Sequence, residues 1–281
     1  MKIRMGWSGL AFTASFVATN GCFLVEKPET QRSLRSVFET PVAPSSDRVI
    51  LDYRIIDQPA GDPFVIDQLW TMVRCPLSHD RAALLAENGL RVGVMSGIVP
   101  NEFIARVTSE RYVVDPRAIA TRAGEEKVVP MNGPFETIQT RIVRELASAG
   151  ESINAQDAEC GLVVKMTPDE EDRIRFRCTL AIQTGSKQAW LRPSADRTQF
   201  KWDRSKSREI LETLAFEVTL GPGEYLVVGP TEQPGGTLGE LFCFVAEPTK
   251  VHQRFLVLRG RAEAEQTKTN TTVAAQAGSN N

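Results

Sequence analysis

The sequence predicts an α+β protein, with a small α/β module followed by a mostly antiparallel β-sheet or sandwich module. Three observations predict it. Residues 48–109 alternate β-rich stretches with stretches of helical pattern. After residue 115 apolar residues recur at period two, and Gly- and Pro-containing turns separate them. The two ends, before 48 and after 261, hold too few large apolar side chains to join a core. The expected division is a signal peptide (1–21), a polar tether (22–47), a small α/β module (48–115), a β-rich module (116–261) and a disordered tail (262–281).

The chain opens "MKIRMGWSGLAFTASFVATNGC". Lys2 and Arg4 make a basic start, and residues 6–19 are mostly apolar or small. That run is short of the ~20 residues a membrane span needs and fits the core of a signal peptide. Gly21-Cys22 then resembles the cleavage site of bacterial lipoproteins, with Asn20 and Thr19 before it. The resemblance implies a lipid on Cys22 after cleavage behind Gly21. Plain export with cleavage near Ala18 or Gly21, or a cytosolic amino terminus, are the other readings. Phe23, where an Asp would hold a lipoprotein in the inner membrane, points to the outer membrane. Residues 26–47, "EKPETQRSLRSVFETPVAPSSD", are polar and hold three prolines. As a flexible coil they would hold the body roughly 25 Å from the membrane.

In the first module, "RVILDYRII" (48–56) reads as a buried strand. "GDPFVIDQLWTMVRC" reads as a helix, with Asp62 as cap, Pro63 in the first turn and a broad apolar face. "LSHDRAALLAENGL" repeats this grammar from Ser78 to a stop at Gly89. "RVGVMSG" is a short strand and "VPNEFIARVTS" a short helix. Helices packed on a short sheet follow from this order.

In the second module, "EEKVVPM", "IQTRIVREL" and "GLVVKMT" read as strands, although "FETIQTRIVRELAS" also fits a helix. "RIRFRCTLAIQ" (173–183) is the plainest strand, with Ile174, Phe176, Cys178, Leu180 and Ile182 on one face. "ETLAFEVTL", "EYLVVG", "ELFCFVAE" and "HQRFLVLRG" read as further strands.

Composition excludes several function classes. The formal charge is −2 and there is no basic block, so nucleic acid is not expected as a partner. The two histidines, His79 and His252, and the cysteine spacings give no metal pattern. "GVMSG" (93–97) places its serine one position late for a nucleophile elbow. "GPGEYLVVG" lies between strands, with no helix to receive a pyrophosphate. Asp169, Glu170, Glu171 and Asp172 read as a solvated turn and lack the ligand alternation of a calcium loop. No catalytic residue, metal or cofactor is therefore assigned.

Two features remain as candidate sites. Arg173, Arg175 and Arg177 recur at period two on one side of a strand. They read as a solvated face paired with acids across the sheet, or as a patch for an anionic partner such as a lipid head group or acidic glycan. Of the five cysteines, Cys160 and Cys178 flank the 167–172 turn and fall almost opposite one another. They are a candidate cross-strand disulfide, which needs a closely spaced pair of strand positions. Two buried free thiols are the other reading. A one-residue slip would send the two side chains to opposite faces.

"FEVTLGPGEYLVVGP" (216–230), "LGELF" (238–242), "QRFLVLRG" (253–260) and "CGLVVKMTPDEEDRIRFRCTLAI" together resemble the β-domain of bacterial secretins. The likeness covers about 120 residues. It implies an envelope β-domain and ring assembly, without implying a pore. The whole layout also resembles the uncharacterised lipoproteins of planctomycete-like bacteria. The expected function is a non-enzymatic envelope lipoprotein that acts as a structural or protein-interaction module. It would face the periplasm, be anchored through its lipid, and contact an envelope protein or further copies of itself. A subunit of a secretin-like export complex, or an enzyme with an unrecognised site, are the alternatives.

Overall fold

β1 (Arg48–Pro59) forms where the sequence marks a buried strand, and its partners come from far along the chain. It lies between β11 (Val251–Ala262) and β3 (Arg117–Arg122), antiparallel to both. β9 (Tyr225–Pro230) joins the far side of β11, and β2 (Leu90–Met95) joins β9. The first sheet thus has the order β2-β9-β11-β1-β3, with β10 (Phe244–Ala246) beside β11. The second sheet has the order β4-β5-β6-β7. Its strands are β4 (Glu126–Ile142), β5 (Glu151–Pro168), β6 (Ile174–Pro193) and β7 (Phe200–Ile210). β8 (Phe216–Leu220) takes the stretch of the β6 edge that β7 leaves. The computed structural model of the chain describes residues 48–193, 200–232 and 235–262. The expected signal peptide, Cys22, the tether and all but the first residue of the tail lie outside the described residues. Residues 44–281 make one unit by their own contacts.

Period-two alternation decides which face of each strand is buried, and against what. Val49, Leu51, Tyr53 and Ile55 of β1, with Leu256 and Leu258 of β11, face the core shared with the second sheet. Ile174, Phe176, Cys178, Leu180 and Ile182 of β6 meet them there. Gly260 permits this approach. A Cβ on it would come within 2.8 Å of the Phe176 ring. The opposite face of the first sheet carries Ile56, Val227, Phe255 and Val257. Helices cover part of it, namely α1 (Leu69–Met72, entered through a π-helical turn at Phe64–Gln68) and α3 (Asn101–Thr108). α2 (His79–Glu87) packs beside β2, and Ser78 caps it by accepting from the Arg81 amide.

The α+β expectation is corrected here. The protein is mostly β, built on two antiparallel sheets, and its helices are short. The first strand and the short strand at 90–95 do not make a sheet of their own, because β9 and β11 complete the sheet they enter. A strand with two apolar faces needs a sheet neighbour on each edge and cover on each face. Residues 48–109 supply too little of either. The expected helix at 62–75 stops after Met72, where Val73 turns to extended backbone and the segment bridges to Val94. "ELFCFVAE", expected as one strand, is instead α4 (Leu238–Cys243) followed by β10. Gly239 explains the helix there, since its Cα packs against the Gly89 backbone with no room for a Cβ.

Candidate functional site

On the helical side of the first sheet, α3 covers only one end, and a recess of about 530 Å³ opens beside it. Its floor is apolar: Phe103, Ile104 and Val107 from α3, Val257 from β11 and Tyr225 from β9. Its walls are basic. Arg54 comes from β1, Arg259 and Arg261 from β11, and Arg117 from the start of β3. That volume is of small-ligand size, and an apolar floor with a few convergent charges is the usual make-up of a binding pocket.

The sheet register explains the clustering. Phe255, Val257, Arg259 and Arg261 alternate along one face of β11, so the face changes from apolar to basic where the helical cover ends. Across the ladder Val257 stands opposite Arg54, Arg259 opposite Asp52, and Arg261 opposite Ile50. Asp52 and Arg54 share a face of β1, two residues apart.

The four guanidiniums are differently engaged. Arg54 donates to the Val107 carbonyl at the end of α3. Arg117 donates to Asp115 at 2.7 Å and stays largely exposed. Arg261 Nε lies 3.3 Å from Asp52 Oδ2, near enough for an ion pair but without hydrogen-bond geometry. Arg259 sits near the Tyr225 ring, 5.8 Å from its centroid, and its buried Nε has no acceptor among the described residues. Tyr53 donates to Asp115 at 3.4 Å. Burial above all, and then the Asp115 carboxylate, raises its phenol above the ordinary value, so it stays protonated. Two carboxylates thus face four guanidiniums. A buried donor without a partner is costly, so an anionic group entering beside Arg259 would be favoured.

The residues that sequence reasoning picked out lie elsewhere. Arg175 and Arg177 point outward from β6, but carboxylates meet them. Arg175 pairs with Asp169 at 3.2 Å, and Arg177 with Glu212 at 3.1 Å and Glu217 at 3.3 Å. Arg173 precedes the strand, at the turn, where its amide donates to Glu170. The face is laced with acids from the turn, β8 and the segment before it. Exposed pairs of this kind contribute little to stability.

The candidate disulfide is corrected. Cys160 and Cys178 are free thiols, both buried. The β5–β6 register sets Cys160 opposite Ile182 and Cys178 opposite Val164. That four-residue offset separates the cysteines by about 13 Å along the strands, well beyond disulfide reach. The near-opposite placement expected from the 167–172 turn fails because the ladder closes at Pro168 and Ile174, which slides the β6 partner of Cys160 on to Ile182. Burial alone pushes the Cys160 thiol up to about 12, and that of Cys178 also far above its ordinary range.

His79 starts α2, as expected. His252 lies half-buried near the start of β11, beside the 247–250 turn, where its Nδ1 is 2.8 Å from Asp57 and Arg254 Nε donates to the same carboxylate at 3.0 Å. No cluster of three or more His, Cys, Asp or Glu suited to a metal occurs among the described residues. Among them, too, no helix is long and apolar enough to cross a membrane. Sequence reasoning missed Asp52, Arg54, Arg259 and Arg261. The available signal was the alternation Phe255-Val257-Arg259-Arg261, in which apolar and basic residues share one face.

No family model matches the chain, and no curated protein matches it. Among solved structures it is weakly similar to the InvG secretin-domain β-barrel from the Salmonella SPI-1 injectisome NC-base. Identity is 10% and the TM-score 0.24, over 83% of this chain and 69% of that one. A similarity at that score carries no argument about assembly or function.

Proposed function

We propose that the protein is a non-enzymatic interaction module of the bacterial cell envelope, anchored through a lipid on Cys22, which captures an acidic, apolar-flanked segment of a partner envelope protein. The observation that supports this most is the recess itself, and within it the Arg259 guanidinium, whose buried Nε has no acceptor above an apolar floor. A carboxylate would satisfy that donor, while neighbouring apolar side chains would cover Phe103 and Val107.

The test places a photo-crosslinking amino acid at Ile104, which lines the recess and is 43% exposed. Irradiating whole envelopes should give one discrete adduct, with an Asp, Glu or terminal carboxylate in the cross-linked peptide. Arg259→Met should abolish it. An adduct indifferent to Arg259, or none, would remove the reading. Size in mild detergent is measured alongside, because a ring-sized multimer would favour the export-complex alternative. Labelling with an alkyne palmitate analogue tests the anchor, and equal labelling of Cys22→Ser would exclude it.

A further inference from the structure

The arginine-walled recess holds a second buried donor beside that of Arg259. Among the described residues, neither Arg259 Nε nor Arg261 Nε has a hydrogen-bond acceptor, and both nitrogens are buried. Arg261 Nε lies 3.3 Å from Asp52 Oδ2 but out of line for a hydrogen bond. With Asp52 and Asp115 set against Arg54, Arg117, Arg259 and Arg261, two positive charges stay in excess. The recess thus has places for two acceptors and the charge to hold two anionic groups.

β11 sets their spacing. Arg259 and Arg261 are two residues apart on one strand, so their side chains leave the same face about 7 Å apart. An extended chain repeats with the same period. Carboxylates at its alternate positions share a side at that spacing, whereas adjacent ones point to opposite sides. Val257 precedes the two arginines on the same face, so the next alternate position of such a chain meets an apolar surface. The width of the floor selects the same form. β11, β1 and β3 are neighbours, so the floor between β11 and β3 spans two strand spacings, about 10 Å. A helix with its side chains is about 10–12 Å across and would leave no room for the arginines that rise from this floor.

We propose that the recess selects an extended segment of a partner protein that carries two carboxylates at alternate positions. Arg259 receives one, Arg261 the other, and an apolar side chain two residues further along covers Val257. The inference rests on the carboxylate reading above and adds to it the spacing, with Arg261 as the residue that enforces it. Asp52 already offsets part of the Arg261 charge, so a lone carboxylate is held first by Arg259. The second gains because it is tethered to the first.

The probes are three heptapeptides, acetylated and amidated at their ends and titrated by calorimetry into residues 44–281, which make one unit by their own contacts. One is Val-Thr-Glu-Thr-Glu-Thr-Val. Another has its second Glu changed to Gln. The third, Val-Thr-Glu-Glu-Thr-Thr-Val, has the composition and charge of the first with its acids adjacent. The first should bind about tenfold more tightly than either of the others. Arg261→Met should bring it down to the affinity of the single-acid peptide, and a thermal melt checks the fold. If the second acid adds less than twofold, or adjacent acids serve equally, this inference falls while binding through Arg259 still supports the carboxylate reading. If no peptide binds, this inference falls, and titration with hexanoate decides whether the carboxylate reading falls with it. Other occupants have their own signatures. Glu263 and Glu265 of this chain are also two apart, and they lie outside the described residues. Glu263→Gln/Glu265→Gln should bind the first peptide as the parent does. Tighter binding by that variant would make the chain's own tail the occupant, and a concentration-dependent dimer lost in Arg261→Met would make it a second copy. Either result would overturn the proposal.

Discussion

Arg259 stands directly opposite Asp52 in the β1–β11 ladder, yet Arg261 lies against the Asp52 carboxylate, at 3.3 Å. The nearer partner in register is thus left without its natural counter-ion. A buried guanidinium donor without an acceptor costs stability that an apolar side chain of similar length would not. Arg259→Met is therefore expected to raise the unfolding free energy by about 1 kcal/mol. Urea denaturation of the two proteins checks this. A binding residue that lowers stability is a common compromise at functional sites.

Asn88 ties the end of α2 to the end of β4. It is fully buried, donates to the carbonyls of Leu84 and Val143, and accepts from the Val143 amide at 2.9 Å. Its own carbonyl accepts from Gly239 at the start of α4. Replacing Asn88 with Ala leaves buried backbone groups of Val143 unpaired, which should cost about 2–4 kcal/mol. Asn88→Asp keeps the acceptor, loses the donors, and should also destabilise. Thermal melts of both variants measure the effect.

Glu125 closes the turn between β3 and β4. It accepts from Lys127 Nζ at 2.6 Å, from Thr121 Oγ1 at 2.9 Å and from the Arg122 amide. The Lys127 contact foremost holds its carboxyl below the ordinary value of 4.5. Because the folded value is the lower one, this contribution is complete above pH 4.5 and is lost as pH falls through the folded value. Stability measured from pH 6 down to about pH 3 should fall less in Glu125→Gln than in the parent.

The thiols separate by exposure. Cys75 is exposed, whereas Cys160, Cys178 and Cys243 are buried. In native protein never exposed to reductant, iodoacetamide should modify Cys75 and spare these three. In denaturant without reductant it should modify all four. Peptide mapping that finds Cys160 joined to Cys178 would contradict the register of β5 and β6.

Local pattern told which stretches would be strands, but not their partners. β1, α2 and β6 were legible because each carries its own periodicity or cap: the run at 48–56, Ser78 before an apolar face, and the alternation from Ile174. α4 was not legible, because "LGELFC" is short and its helix depends on contact between Gly239 and Gly89. The separate α/β module failed for the same reason of distance. The partners that complete its sheet, β9 and β11, lie more than a hundred residues later. The recess was hidden because Arg54 and Arg259 meet only through that pairing. The arginines at 173–177 were visible as a motif, but their acidic neighbours at 212 and 217 come from other segments.

The most direct measurement is calorimetric titration of residues 44–281 with hexanoate, a carboxylate on a short apolar chain, with hexylamine as the cationic counterpart. The account predicts saturable binding of one hexanoate. Arg259→Met should weaken it by about tenfold or more, the value of a charge-assisted hydrogen bond, and hexylamine should not bind. Equal binding of hexanoate by the parent and Arg259→Met, or no binding by either, would contradict the claim that the arginine-walled recess is the site.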